Sequence, residues 1–257
     1  MIILKTPQEI EFLRQSNRIV ADVLVTLRDL IQPGITTKEL DQTAEDLILN
    51  NGAVPAFKGY MGYPAALCAS VNEEVIHGIP GPRRVKTGDI VSLDLGVKLN
   101  GYYGDATITV PVGKVNKETE KLLRVTEMAL YEAIKMARVG NRLYDISYAI
   151  QSLAESNGFS VVRDFVGHGI GRDLHEEPQI PNLGRPGHGP RLKKGMVLAI
   201  EPMVNQGGWQ IKVLPDKWTV VTADGKLSAH FEHTIAITDA EPEILSLPSP
   251  VEEHQKS

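Results

Sequence analysis

The chain holds a single cysteine, Cys68. No disulfide can form within it, a zinc site built on several thiolates is excluded, and a reducing compartment is expected. Long apolar runs are also missing: nothing approaches the ~18 consecutive apolar residues of a membrane span. The opening segment Met1–Pro7 lacks the basic stretch followed by an apolar run that marks a secretory signal. The cytoplasm is therefore the expected location. Positive charge is not in excess, with 27 Lys and Arg against 32 Asp and Glu for a net charge of −5. No global field favours nucleic acid. What is present is a 257-residue chain with 42 % hydrophobic and 23 % charged residues, which suits one globular domain spanning 1–257. A polar tail over 248–257 is expected to fray.

Apolar residues at helical spacing predict a first helix over about 7–31, stopped by Pro33-Gly34. A second follows, with Thr37 as its N-cap, to about Leu49 and Asn51-Gly52. Ala66–Val71 reads as a strand. Ile90–Lys98 and Tyr102–Val110 read as a hairpin across Asn100-Gly101. The second part repeats this order. It has helices over Lys117–Ala137 and Leu143–Ser156, then strands over Ser160–Val166, Val197–Val204 and Phe231–Thr238.

The two parts, about 7–112 and 117–240, also match in detail. Lys86–Asp94 resembles Lys193–Glu201, each with a glycine six residues before an acid. Asp105-Ala106-Thr107-Ile108 resembles Glu232-His233-Thr234-Ile235, and His77-Gly78-Ile79 resembles His168-Gly169-Ile170. Chance similarity between short strands is the rival reading. Three matches in one order favour a duplication, with matching acids meeting near a pseudo-twofold axis.

Asp94, Asp105, Glu201 and Glu232 all sit in strand-like, largely apolar surroundings. A carboxylate buried there is costly without a counter-charge. Four converging carboxylates would repel one another strongly, and bound cations are the natural relief. Carboxylates bridging two divalent ions ~3.5–4 Å apart suit a site that activates water. His168, set among Gly167, Gly169 and Gly171, would add one nitrogen to an oxygen-rich, sulfur-free set that accepts Co, Mn, Fe or Zn. The glycines lack the dinucleotide-binding spacing. His175-Glu176-Glu177-Pro178-Gln179 is not a zinc-protease helix, because Gln179 stands where a second histidine is needed and Pro178 would break the helix. His77 is a candidate to polarise a carbonyl or hold substrate, His175 to contact substrate or support a neighbouring ligand, and Trp218 to form a pocket wall, with simple packing as its alternative. Cys68 reads as a small buried hydrophobe. His188 is expected at the surface, and His230, His233 and His254 carry no expectation.

Taken together, Ser92–Gly96, Gly101–Thr107, Gly167–Gly171, His175–Pro178, Ile200-Glu201-Pro202 and Glu232-His233-Thr234 resemble the type I methionine aminopeptidases. The resemblance runs from the first helix to about Ile237. It implies an α+β pita-bread fold, two helix–helix–strand halves around a curved antiparallel sheet, acting as one catalytic domain. It further implies two divalent ions held by Asp94, Asp105, His168, Glu201 and Glu232, with Asp94 chelating one ion, Asp105 and Glu232 bridging, and His168 and Glu201 completing the other. Glu201 is implied as proton shuttle, with His175 and His77 contacting the scissile group. Tyr60, Tyr63, Cys68, Leu174 and Trp218 match positions around the methionine pocket. Leu174 departs from the Phe that some bacterial members carry there, which leaves that wall's shape open. The short interval from His175 to Glu201 leaves no room for the helical insertion of type II.

The implied activity is removal of the initiator methionine when the second residue is small. The implied partners are nascent polypeptide N-termini, with a place near the ribosome, no membrane and no specific nucleic acid. A monomer is the expected state. The chain's own second residue, Ile2, is large, so it should keep its methionine. Two rivals stand: a Xaa-Pro aminopeptidase or prolidase, which resembles this fold, and a non-catalytic binding module on it. Modules of that kind lose metal ligands, and here all five positions are filled.

Overall fold

The computed structural model describes residues 1–250. The expected tail over 248–257 lies mostly outside the described residues, as does His254. Helix α1 (Pro7–Leu30) starts where Thr6 and Glu9 cap each other's backbone amides and Pro7 supplies a preset first turn. Helix α2 (Thr37–Asn50) has the same reciprocal cap between Thr36 and Glu39. The N-cap is thus Thr36 and not Thr37, because the glutamate must stand three residues after the cap to reach back. After β1 (Val54–Pro55) and a 3₁₀ turn at Tyr60–Gly62 come β2 (Leu67–Val71), β3 (Glu74–Ile76) and the hairpin β4 (Ile90–Leu99) and β5 (Tyr102–Pro111). Asn100 and Gly101 close that hairpin with φ of 52° and 83°, the left-handed conformation a tight two-residue turn needs.

Helices α3 (Lys117–Met136) and α4 (Leu143–Ser156) follow. The remaining strands are β6 (Ser160–Val161), β7 (Val166–Gly169), β8 (Glu176–Pro181), β9 (Val197–Ile200), β10 (Met203–Asn205), β11 (Ile211–Val213), β12 (Val220–Thr222), β13 (Ser228–His230), β14 (Glu232–Ala236) and β15 (Glu243–Ile244). Two long strands of the sequence reading are broken. The strand expected over Ser160–Val166 survives only at its ends. The strand expected over Val197–Val204 splits at Glu201-Pro202, since Pro202 has no N–H to continue the ladder.

Nine strands form one sheet in the order β1-β4-β5-β14-β9-β7-β8, with β2 on β4 and β15 on β14. Every pair in it is antiparallel. Strand alternation divides the sheet's two faces. Leu93 and Leu95 join Val20, Leu24, Leu27 and Leu40 in a core beneath α1 and α2. Leu198, Ile200 and Ile235 join Leu122, Leu130, Ile146 and Ile150 beneath α3 and α4. Asp94 and Glu201, one residue out of step with those leucines and isoleucines, therefore point away from the helices.

Gly104 fixes how closely α1 approaches β5. A Cβ on it would come within 2.6 Å of the Asn17 backbone nitrogen, and the Asn17 side-chain oxygen accepts from the Asp105 N–H at 3.2 Å. Gly104→Ala must push helix and strand apart. It is expected to lower stability by ~1–3 kcal/mol, read from urea unfolding midpoints; an unchanged midpoint would contradict the close approach.

Candidate functional site

Five adjacent strands bring the five candidate donors together. Asp94 lies on β4, Asp105 on β5, Glu232 on β14, Glu201 just past β9, and His168 on β7. Register does the alignment. Thr107 is paired with Asp94 on one side and with Glu232 on the other, and Asp105 lies two residues from it on the same face. The Thr107 hydroxyl donates to Glu232 Oε2 at 2.8 Å. His168 Nε2 stands 3.6 Å from Glu201 Oε1 and 3.8 Å from Asp105 Oδ2. Donor atoms of Asp105, His168 and Glu232 all lie within 4.8 Å of one another. The glycines around His168 allow this approach: a Cβ at Gly167 would strike the Ala199 carbonyl and one at Gly169 the Glu177 carbonyl.

These groups are short of partners. Asp94 Oδ1, Asp105 Oδ1 and Glu232 Oε1 are buried with no hydrogen bond. Burial pushes the Asp105, Glu201 and Glu232 carboxyls well above the usual carboxylate range, and neighbouring carboxylates add to it. Asp94 is raised too, again mainly by burial. The His168 imidazole is pushed down to about 3 by burial. Its Nδ1 lies 2.9 Å from the Gly169 carbonyl. A proton on Nδ1 satisfies that contact and leaves Nε2 as a lone pair facing the acids. Four crowded carboxylates and one neutral imidazole, with orphaned oxygens, fit divalent cations of the nitrogen- and oxygen-preferring kind.

Above the acids is a cavity of about 190 Å³. All twelve candidate residues line it: the five donors, His77, His175, Tyr60, Tyr63, Cys68, Leu174 and Trp218. Tyr63 is held by donating toward the Leu67 and Gly78 carbonyls, each at 3.1 Å. It meets Trp218 edge-on at 5.1 Å between centroids. Trp218 is fixed in turn by Asp216, which accepts from its backbone N–H. His77, in the left-handed region at φ 57°, packs edge-on against Trp218 and Phe165. His175 Nδ1 lies 2.8 Å from the Tyr60 hydroxyl, and its ring meets that of His168. Burial lowers the pKa of both histidines, His77 to about 4, so both are neutral near pH 7. The Cys68 thiol is buried and pushed well up, which keeps it protonated. The segment after His175 is strand β8 and not a helix, in line with the rejected zinc-protease motif, and His188 is exposed.

Three residues escaped the sequence reading. Phe57 and Met61 also line the cavity; lying in a loop, they offered no periodic signal. His230, given no role, is buried with Nε2 3.6 Å from Glu201 Oε2 and both ring nitrogens unpartnered. Its place two residues before Glu232, on a strand that the sequence reading began at Phe231, was the clue.

Residues 11–239 match the model of metallopeptidase family M24. The chain is 58 % identical to the methionine aminopeptidase of Clostridium perfringens over 96 % of its own length and 99 % of that protein. It is equally similar, with the same coverage, to methionine aminopeptidase 1 of Bacillus subtilis. The crystal structure of the Thermotoga maritima methionine aminopeptidase superposes with a TM-score of 0.95 at 51 % identity, covering 96 % of this chain and 100 % of that one. The Pyrococcus horikoshii prolidase shares the fold alone, with a TM-score of 0.79 at 23 % identity over 98 % of this chain and 65 % of that one. With this sheet, these donors and these relatives, the chain belongs to metallopeptidase family M24, among the methionine aminopeptidases.

Proposed function

We propose that this chain removes the N-terminal methionine from polypeptides whose second residue is small, by metal-dependent hydrolysis. The observation that carries it is a cavity with an aromatic and thiol wall and a floor of carboxylates, in a chain this close to methionine aminopeptidases. Asp94, Asp105, His168, Glu201 and Glu232 would hold two divalent ions, drawn from Co, Mn, Fe or Zn. Bound ions would polarise the peptide carbonyl and acidify water near neutral pH.

The chain's own residues do the rest. Tyr63, Cys68, Leu174 and Trp218 surround the first side chain. A thioether suits this wall, since sulfur–aromatic contacts contribute ~0.3–1.5 kcal/mol each. A free α-amino group beside the metal-holding residues would confine cleavage to the first bond. Glu201 accepts the proton of the attacking water and passes it to the leaving amine. The Tyr60 hydroxyl lies 2.8 Å from His175 Nδ1; in the tautomer in which it donates there, Nε2 carries the proton and can donate to the scissile group. His77, neutral and walled by Trp218 and Phe165, offers a second donor.

The substrates would be nascent chains near the ribosome in the cytoplasm, met by a monomer. Among the described residues no helix is long and apolar enough to cross a membrane. We also propose that 1–257 acts as one catalytic domain of two related halves. Supporting this, the hairpin β4–β5 carries Asp94 and Asp105, and the antiparallel pair β9–β14 leads to Glu201 and carries Glu232.

Assay of Met-Ala-Ser beside Ala-Pro tests the reading against a prolidase. Methionine release from the first, with the second left intact, is the expected outcome. Cleavage of Ala-Pro alone would overturn it.

A further inference from the structure

A buried ion pair lies outside the donor cluster and ties together segments 171 residues apart. Lys5 Nζ donates to Glu176 Oε2, with the two side chains only 3 % and 7 % exposed. The other oxygen, Oε1, accepts from the backbone N–H of Arg172 at 2.9 Å and of Asp173 at 3.4 Å. Glu176 thereby folds the loop between β7 and β8 onto itself, and that loop carries Leu174 and His175. Lys5 is fixed at its other end, because its backbone N–H donates to the Gly195 carbonyl at 2.6 Å, in the turn before β9. Gly171 makes room: a Cβ there would strike Glu176 Oε1 and come within 2.7 Å of Lys5 Nζ. Two charges withdrawn from water at this cost do not by themselves favour the fold over an apolar pair. What they do supply is a fixed acceptor for two loop amides.

We propose that Lys5 and Glu176 are positioning residues, a clamp by which the N-terminal segment holds Leu174 and His175 at the cavity and sets the fit of the substrate's first residue. The proposal rests on the aminopeptidase reading for what His175 and Leu174 do, but not for the clamp itself. Loss of the clamp leaves the donor strands untouched and frees the loop. A loose loop misplaces His175 against the scissile group and opens the wall at Leu174.

The test compares wild type, Lys5→Arg, Lys5→Met and the double variant Lys5→Met/Glu176→Leu. The double variant leaves no unpaired buried charge, so it should fold where Lys5→Met alone strains to. For metal-loaded protein on Met-Ala-Ser, the double variant is expected to lose roughly 10- to 100-fold in kcat/KM, the scale of a ~1 Å misplacement. Its metal content should stay at the wild-type level. Lys5→Arg should recover to within about threefold, since the guanidinium still pairs with the carboxylate. Hydrogen exchange on the metal-loaded proteins should speed up over 171–176 in the variants lacking the ion pair and stay unchanged over 197–205. Wild-type kcat/KM in the double variant, or exchange raised equally in both segments, would overturn the clamp. If wild type itself released no methionine, the functional reading would fail, while the exchange pattern would still decide whether the clamp exists.

Discussion

Replacing Glu201 by Gln is expected to lower turnover on Met-Ala-Ser by about 10²–10⁴-fold, the usual contribution of a general acid–base group. Gln keeps the shape and the capacity to accept hydrogen bonds but cannot take a proton. Glu201 stands at the cavity floor with its oxygens 3.6 Å from His168 Nε2 and from His230 Nε2. Burial and the nearby Asp94 push its carboxyl well up in the metal-free protein. The substitution removes one of four crowded negative charges, so the metal-free fold should be no less stable. Near-normal turnover at full metal content, measured on the same sample, would remove Glu201 from the proton-transfer role.

Stripping the metal is expected to abolish activity and to lower thermal stability in a pH-dependent way. At a hundredfold excess over Kd, a bound ion stabilises by about 2.7 kcal/mol, roughly 5–10 °C at the ~2–4 °C per kcal/mol of a protein this size. The pH dependence follows from the raised carboxyls of Asp105, Glu201 and Glu232. Between the ordinary carboxylate range and their raised values, the folded metal-free protein holds more protons than the unfolded chain. Its stability must therefore fall as pH rises through that window. The metal-loaded protein has already released those protons. The gap in Tm between loaded and stripped protein should widen from pH 5.5 to pH 8. A gap that is constant or narrows with pH would show that these carboxylates do not hold the ions.

Much of this was legible in the chain. Asp94 between Leu93 and Leu95, and Glu201 after Ile200, announce acids on one face of strands whose other face is core, because alternation leaves no other arrangement. The Asn100-Gly101 turn sets the β4–β5 register, which sets Asp94 opposite Thr107. The resemblance to a known family then brought in the loop residues Tyr60, Tyr63 and Leu174, which no periodicity marks. His230 was missed because the expected strand began one residue after it, at Phe231; the register that pairs Ile200 with His233 continues to Met203 opposite His230, and this sets His230 near Glu201. The Lys5–Glu176 pair was equally hidden, since sequence does not reveal that residues so far apart meet. Thr36 rather than Thr37 as the cap is the ordinary one-residue uncertainty of a helix start.

The central claim is that the acids at the cavity floor hold metal for removal of a first methionine beside a small second residue. Its most direct test is methionine release from Met-Ala-Ser and Met-Leu-Ser by metal-stripped protein, with Co, Mn, Fe or Zn added back singly. No release is expected without metal, release from Met-Ala-Ser is expected once a suitable ion returns, and little or none is expected from Met-Leu-Ser. A folded protein that binds these ions yet releases methionine from neither peptide would contradict the claim.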